Sequence, residues 1–514
     1  MEARTAHVTT QPDVIKRFLL LDRGQPCDEP RRAESERILR AQTFIADAMI
    51  QALADDRGGV DLEVRTIDEV SLVASATLKA QFPLLTGLRL GNANIAGMGI
   101  FGAGSWTHEL GLREGFTGRV TDYQLFGKPI QATATGAHNS LGGEYHFDIQ
   151  QPFLTDLQHF AWRAQQGEAN TYVRFVDPGG HIHSLGLDRS YADIGGLVRI
   201  GHPGELLLLG MSVSHEAERP GAAPILITHE GVAPDTSSAL RDRYVAHSAT
   251  RVNALLGYRH IRFVEATGLD ALQATQDIPV GIQMGTLVGR SAPALGSADR
   301  DALMAGELYA GMASQRSALR FQAIGEARRE LDRRSWDGIL ASGRLAYHRR
   351  VAETQTLIAS LEGSGGVNQR VPFRLTLGAL DGGLRGLSVG RTQGGERAVA
   401  RVEDRFNLGS PFGPTTNMGV SFFGEAGRLW DRDVPFGATT PLAFSAGVSV
   451  LAAVPATSGA LWRVDIAVPR RPYGGLTLAV RMTHVDFTTF FWRDPRDVGA
   501  ARERTVPSSV FSWP

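Results

Sequence analysis

The chain has a single cysteine, Cys27, among its 514 residues. One cysteine excludes an internal disulfide framework and a cysteine metal cluster. Lysine is almost as scarce, occurring only at Lys16, Lys79 and Lys128, so arginine supplies nearly all of the positive charge. The 53 basic and 54 acidic side chains leave a formal net charge of −1, which gives no basic footprint for nucleic-acid binding.

Long apolar runs are also missing. Stretches such as Leu206–Leu209 fall far short of the roughly 18 residues that a spanning helix needs. The N-terminus has no basic region followed by a long apolar core, so no secretory signal is predicted. Either the protein stays inside the cell, or the start of a precursor is missing. A membrane β-barrel is not excluded, because its strands need only about 10 alternating residues each.

What the sequence does contain is strand alternation and 59 glycines, which suggest many tight turns. In "LWRVDIAV", Trp462, Val464, Ile466 and Val468 share one face, and Arg463 and Asp465 share the other. This pattern fits both a soluble sandwich and an outer-membrane barrel. Such a pattern from Val70 to Phe487 is too long for one open sheet, which rarely exceeds about 10 strands. We therefore predict an all-β transmembrane fold, a closed antiparallel barrel of about 16 strands.

Residues 12–69 predict a small α/β unit ahead of the barrel. "VIKRFLLL" is interpreted as a strand and "EPRRAESERILRAQ" as a helical region. Two further strands are predicted on either side of an Asp-Asp-Arg-Gly-Gly turn, with Val60, Leu62 and Val64 as apolar positions of the second.

No motif supports catalysis. "GMGIFG", Gly97 to Gly102, matches a dinucleotide fingerprint as a string, but no apolar helical stripe follows it, so a hairpin turn is predicted instead. His181 and His183 could touch a metal but have no recognisable third ligand. We therefore expect no enzyme activity, no metal and no cofactor.

The segment "LGALDGGLRGLSVG" places one positive charge, Arg385, on a glycine-rich loop. In the strand that follows, Arg401, Glu403 and Arg405 share one face, and in the next one Glu425 lies opposite the apolar Phe422. If the apolar faces meet lipid, these charges point into the lumen, where Arg385 could pair with them by folding inward. The alternative is an exposed hairpin arginine, whose surface ion pairs are worth under about 1 kcal/mol.

The same segments resemble a known family. "LRGL", which is Leu384, Arg385, Gly386 and Leu387, resembles the Arg-Gly-aromatic loop motif of BamA/TamA-type outer-membrane assembly factors, the bacterial surface antigen family. "VEDRF" and "FFGEAGRLW" resemble the two strand segments after that loop, and "NANIAGMG" an early barrel turn. Residues 12–69 resemble a POTRA domain. Two-partner secretion exporters are the nearest relatives of this family.

The resemblance implies a POTRA-like periplasmic domain at 12–69, a barrel at 70–487 in the bacterial outer membrane, and a C-terminal tail at 488–514. It also implies that Arg385 pairs with Glu425 and Glu403 inside the lumen. The implied function is assembly or translocation of β-rich client proteins, with possible periplasmic accessory proteins as partners. The alternatives are an exporter of one dedicated substrate, or a passive pore or structural barrel.

A lateral seam between the first and last strands is a further expectation, because unpaired strand edges can template other strands. Its residues are predicted to be Val73, Ser75 and Thr77 on one side and Leu476, Leu478 and Val480 on the other.

The chain departs from the family pattern in four respects. Leu387 stands where an aromatic residue is usual, and Glu425 where an aspartate is common. Only one POTRA-like unit is present. The sequence continues past Phe487, so either that tail lies in the periplasm or the last strand is misplaced.

Overall fold

The fold was obtained as a computed structural model, which describes residues 9–56, 58–78, 85–109, 113–228, 230–237, 239–379, 382–387, 392–470, 479–486 and 494–502. The described helices are α1 (Pro12–Lys16), α2 (Glu29–Arg40) and α3 (Arg496–Ala501). Strands β1 (Ile45–Ala54) and β2 (Val60–Asp68) form a separate two-stranded sheet.

The first half of the barrel sheet contains β3 (Leu72–Leu78), β4 (Leu85–Asn92), β5 (Ile100–Glu109), β6 (Arg113–Asp122), β7 (Gln131–Asn139), β8 (Gly142–Gln151), β9 (Phe160–Val176), β10 (Ile182–His202), β11 (Glu205–Pro220), β12 (Ile225–Ile227), β13 (Val232–Pro234) and β14 (His247–Thr267).

The second half contains β15 (Thr275–Ser291), β16 (Asp301–Ser314), β17 (Ser317–Glu330), β18 (Trp336–Ala352), β19 (Gln355–Val367), β22 (Glu396–Gly409), β23 (Asn417–Trp430), β24 (Ala443–Ala453), β25 (Ala460–Arg470) and β26 (Ala479–Asp486). Two short strands, β20 (Leu375–Thr376) and β21 (Gln393–Gly394), pair with each other apart from this sheet.

The antiparallel sheet closes on itself, because β26 neighbours β3 in the strand order. The β12–β13 hairpin adds to the edge where β10 extends beyond β11, and the other twenty strands of the described residues form the wall. The predicted barrel is therefore confirmed, but the predicted count of about 16 strands is wrong. That count allowed about 26 residues for each strand with its connection, whereas four hairpins turn in only two residues, at 140–141, 203–204, 315–316 and 353–354.

Side chains along the wall alternate as the sequence predicted, with apolar residues outside and polar residues inside. In β23, Phe422 points outward and is exposed, while Ser421 and Glu425 point inward and are buried. In β14, Leu256 is exposed, while Arg251 and Asn253 are buried. A soluble sheet buries its apolar face, so this inverted arrangement is typical of a barrel whose outer surface meets lipid.

The barrel has two distinct ends. We call the end at which β3 begins the proximal end and the opposite one the distal end. The two longest connections, 221–246 and 368–395, lie at the distal end. Among the described residues, no helix is long and apolar enough to cross a membrane.

The N-terminal unit has its own apolar core. Ile38 and Leu39 of α2 pack against Phe44, Ile45 and Ile50 at the start of the two-stranded sheet. The predicted helix and the two strands after it are confirmed. The strand predicted at "VIKRFLLL" is wrong, because residues 12–16 form α1, which begins at a proline and buries Val14 in this core. The boundary at residue 69 and the POTRA resemblance stay predictions.

This unit sits on the proximal end of the barrel. Arg40 binds Asp277 at the start of β15 through two nitrogens, at 2.9 and 2.8 Å. The backbone carbonyl of Val14 accepts a hydrogen bond from Gln124, and Glu69 accepts one from Ser458. The contacts thus reach hairpin turns on several sides of the proximal opening.

The "GMGIFG" segment forms a hairpin turn between β4 and β5, as predicted. Gly97 has φ +72°, and a Cβ there would lie 2.3 Å from the carbonyl oxygen of Thr9. Glycine is therefore required by both the left-handed backbone and the close approach of the N-terminal unit.

The orientation of the wall can be tested with one substitution at two depths. Leu361, at the middle of β19, and Leu408, near the proximal end of β22, both point outward and are 55% and 57% exposed. We expect Leu361→Arg to destabilise the barrel folded in a bilayer by about 2–4 kcal/mol and Leu408→Arg by about 1 kcal/mol or less, because an arginine is most costly at the bilayer midplane. Urea titration of barrels folded into liposomes measures both, and a cost at Leu361 of about 1 kcal/mol or less would contradict a position at the bilayer midplane.

Candidate functional site in the barrel lumen

The described residues of the distal connection 368–395 lie in the lumen instead of projecting outward. Its short strands β20 and β21 pair inside, and Leu375 and Leu384 are completely buried. They belong to an apolar cluster at the distal end of the lumen, which we call the distal cluster. Its members are Phe175, Leu185, Leu240, Leu340, Phe373, Leu375, Leu377, Leu384, Val399, Leu429, Val434, Ala443 and Val498. Burial of these side chains holds the loop in place.

Arg385 follows Leu384 and reaches the carboxylates of two strands. Its Nε donates to Glu425 Oε1 at 2.6 Å, and its backbone N–H donates to Glu425 Oε2 at 2.6 Å. Its Nη1 donates to Glu403 Oε2 at 3.1 Å. Charge-assisted contacts from one guanidinium to two carboxylates fix the position of the loop more tightly than a single ion pair does.

Two further contacts define the arginine site. The guanidinium carbon lies 3.5 Å from the ring centroid of Phe423, a cation–π contact, and 3.6 Å separate Nη1 from Asp465 Oδ1. The next residue, Gly386, has φ +82°, and a Cβ there would lie 2.9 Å from the Cβ of Ala467. The motif therefore needs glycine because the loop presses against β25.

Strand alternation explains why the carboxylates point at Arg385. Glu403 of β22, Glu425 of β23 and Asp465 of β25 all occupy inward positions, flanked by outward residues such as Val402, Ala426 and Ile466. The Glu425 side chain is only 1% exposed. A carboxylate buried to that extent requires a cationic partner.

Glu403 is shared by three arginines. Besides Arg385, Arg463 binds it at 2.9 Å and Arg405 at 3.1 Å. Arg405 also donates to the backbone carbonyl of Asp270 at 2.5 Å. Asp270 lies in the turn between β14 and β15, at the proximal end, so a continuous chain of polar contacts joins that turn to the distal loop.

The turn at 268–274 itself folds into the proximal end of the lumen. Its Asp270 side chain binds Arg320 at 2.7 Å and His348 at 2.8 Å, and Leu272 packs on Leu451 and Leu461. The turn therefore crosses from β14 and β15 to strands on other parts of the wall.

The C-terminal segment 494–502 also occupies the lumen. Asp497 binds both terminal nitrogens of Arg397, at 2.6 and 3.0 Å, and Val498 is fully buried in the distal cluster. Asp494 accepts hydrogen bonds from Ser342 at 2.9 Å and from Arg502 at 2.8 Å. Of the two alternatives for the tail, a periplasmic position and a misplaced last strand, the periplasmic position does not describe these nine residues, which lie in the lumen.

The structure brings together the three charged residues that the sequence singled out, Arg385, Glu403 and Glu425. Leu384 and Leu387 lie on either side of Arg385 and Gly386, and Leu387 packs against the distal cluster. The role of these residues stays a prediction. Phe423, Asp465 and Asp497 are further partners that were not predicted from the sequence. The first two do occupy the inward faces of alternating segments, which is the signal that identified Glu425.

The seam residues are described only in part. Val73, Ser75 and Thr77 lie on β3, and Val480 lies on β26, the neighbouring strand. Leu476 and Leu478 lie outside the described residues, as do 487–493 and 503–514 of the tail region.

The two histidines weighed as metal ligands bind carboxylates at the distal end. His183 Nδ1 lies 2.7 Å from Asp235, and its ring stacks on Phe436. His181 lies in the turn before β10, not on a strand face with His183, and its hydrogen bond keeps the pKa of Asp177 below the ordinary value. Within the described part of the chain, no group of three or more histidine, cysteine, aspartate or glutamate side chains could hold a metal ion.

No family model and no curated protein matches the sequence. BamA from Haemophilus ducreyi lacking POTRA domains 1–3 is similar in structure at 11% identity and a TM-score of 0.37, covering 93% of this chain and 82% of that one. CdiB from Escherichia coli is similar at 10% identity and a TM-score of 0.47, covering 92% and 73%. CdiB from Acinetobacter baumannii is similar at 10% identity and a TM-score of 0.40, covering 93% and 71%. At these identities and scores the similarities identify no family for the chain.

We expect Arg385→Ala to release the loop without unfolding the barrel. Removing one partner of a buried ion pair costs about 3–5 kcal/mol, and the lower end applies here because Arg401 and Arg463 still contact the carboxylates. A Leu387→Cys reporter in a Cys27→Ser background measures the release. We expect its labelling by a membrane-impermeant maleimide to accelerate at least about tenfold.

Arg432→Ala is the matched control, because Arg432 forms an exposed pair with Glu396. Equal labelling rates in the two variants would show that Arg385 does not hold the loop.

Proposed function

We propose that the chain is a bacterial outer-membrane barrel that assembles or exports β-rich client proteins, with its N-terminal unit in the periplasm. The observation that carries the proposal is the inward-folded loop, whose Arg385 binds Glu425 and Glu403 in the lumen of a barrel with an apolar outer surface. It supports the predicted role of the "LRGL" motif. The outward apolar rows support the membrane location.

The filled lumen favours client assembly over a passive pore. Described residues of three segments, 268–274, 368–395 and 494–502, lie in it, and each segment is anchored by buried ion pairs or apolar contacts. An open channel needs a water-filled lumen. A client would therefore be handled at the wall and the proximal end, while the lumen stays closed.

The seam between β3 and β26 is the proposed site in the wall. β3 and β26 are the first and last strands of the barrel sheet in the chain. Their pairing closes the barrel and joins the two neighbouring strands that are farthest apart in sequence. Opening this ladder would expose unpaired backbone groups in hydrocarbon, which a client strand satisfies by pairing. No covalent chemistry is required.

The N-terminal unit supplies a second strand edge. The sheet of β1 and β2 has only two strands in the described part of the chain, and Met49, Leu53 and Ile67 are exposed on it. An extended client segment could add to such an edge by β-augmentation. Its contacts with hairpins at the proximal opening would deliver the client near the wall.

Export of one dedicated substrate is the second candidate, favoured by the C-terminal segment. Residues 494–502 lie in the lumen and contact the wall through side chains, by the Arg397–Asp497 ion pair and the Ser342–Asp494 hydrogen bond. A client exported through the lumen would have to displace this segment. The two candidates therefore differ in whether the lumen opens during activity.

Client insertion tests the proposed function. We expect Arg385→Ala and Glu425→Ala to reduce the rate at which proteoliposomes fold a small β-barrel client several-fold, while both variants keep heat-modifiable gel migration. The double variant should fold the client no more slowly than the slower of the two single variants, because the two residues act as one unit. Arg432→Ala serves again as the control. Wild-type rates in both single variants and the double variant would count against any role of the pair.

Single-channel conductance separates the closed barrel from a pore. We expect the wild type to be mostly closed and Asp497→Asn to open frequently, because the loss of charge leaves Arg397 buried without its carboxylate, at a cost of about 3 kcal/mol. Asp433→Asn is the control, since Asp433 pairs with Arg243 at the surface. A steady conductance of the wild type that Asp497→Asn leaves unchanged would favour the passive pore.

A further inference from the structure

A row of side chains crosses the outer face of the wall at the distal end of β15–β18. Arg290 of β15 pairs in register with Ala302 of β16, which pairs with Arg329 of β17, and Arg329 pairs with Trp336 of β18. Both arginines point outward and are exposed. Neighbouring strands lie about 4.8 Å apart, so the two arginine backbones are separated by about 10 Å with only the methyl group of Ala302 between them.

The two guanidinium groups have no carboxylate partner among the described residues. Arg329 lies over the aromatic ring of Trp336, whose centroid is 6.0 Å from the guanidinium carbon. The two acidic residues of the adjoining strand end and turn contact other arginines, Glu330 with Arg333 and Asp332 with Arg300. Two positive charges therefore flank a small notch, with these charged pairs above it and apolar side chains below it.

The surroundings place this notch at the edge of the apolar band. Val288, two residues below Arg290 on the same face, is exposed and apolar, as are Met284 and Leu308 further down the wall. Tryptophan concentrates where hydrocarbon meets the headgroups. Trp336 thus marks the depth at which lipid phosphates lie.

The arrangement recurs on other strands that end distally. Arg428 of β23 points outward with its guanidinium carbon 5.3 Å from the ring centroid of Trp430. Arg219 of β11 and Arg470 of β25 are likewise outward and exposed near the distal ends of their strands. A belt of arginines follows the distal rim.

We propose that the notch of Arg290, Ala302 and Arg329 binds the phosphate of a phosphorylated glycolipid in the outer leaflet. The inference rests on the proposed membrane location. Guanidinium groups match phosphate oxygens in charge and geometry, and the long side chains can converge over the alanine methyl. The glycolipid's acyl chains would then lie along the apolar surface below, towards Val288.

Binding of diphosphoryl lipid A, measured by native mass spectrometry in neutral detergent, tests the proposal. We expect the rim variant Arg290→Gln/Arg329→Gln to bind at least about tenfold more weakly than the wild type, because it loses two charge-assisted contacts. The matched control is Arg262→Gln/Arg349→Gln, which removes two exposed outward arginines near the proximal end. It should bind within about twofold of the wild type.

Equal affinities of the rim and control variants would overturn the proposal. So would an equal loss by the rim variant for lipid A stripped of its phosphates, because the notch would then recognise something other than phosphate. All three proteins are also inserted into phosphatidylcholine nanodiscs. Failure of the wild type to insert would reject the membrane location, whereas insertion without a difference in lipid A binding rejects the phosphate site alone.

Discussion

The closed wall with its apolar side turned outward is the constraint on which the rest of the structure depends. A sheet in hydrocarbon cannot leave backbone groups unpaired, so twenty strands must return to the first one. Once the apolar rows face outward, every charged residue of the alternate rows must lie in the lumen. Charges enclosed in that way must pair with one another. The ion pairs of Arg385 with Glu403 and Glu425 follow from this requirement, because a buried carboxylate needs a cationic partner.

The shared carboxylate of Glu403 gives the lumen a connected interior. Arg385 contacts it from the distal loop, and Arg405 contacts it while holding the carbonyl of Asp270 in the proximal turn. A displacement of either segment therefore disturbs a partner of the other. This connection is a physical basis for coupling events at the two ends, since both segments bias the position of one buried side chain.

How far the sequence reveals this architecture depends on the range of the interactions. Alternation is local, so the outward position of Phe422 and the inward position of Glu425 could be predicted from the neighbouring residues. The number of strands could not, because two-residue turns such as 140–141 leave little signal between strands. "VIKRFLLL" has the composition of a strand, but Pro12 and packing of Val14 against Phe44 favour a short helix. The lumen position of 494–502 depends on Arg397, about a hundred residues away, and no local pattern encodes it.

Arginine serves both surfaces of the wall, and in each place it uses properties that lysine lacks. In the lumen, Arg385 binds two carboxylates through different nitrogens, and its guanidinium group lies over the ring of Phe423. Arg397 donates to both carboxylate oxygens of Asp497. Outside, Arg329 and Arg428 lie beside tryptophan rings at the rim. An ammonium group is a single, strongly hydrated point charge that cannot make planar contacts of this kind. At these positions a change to lysine would keep the charge but lose the geometry, so the near absence of lysine from the chain is compatible with a wall whose polar contacts depend on shape as well as charge.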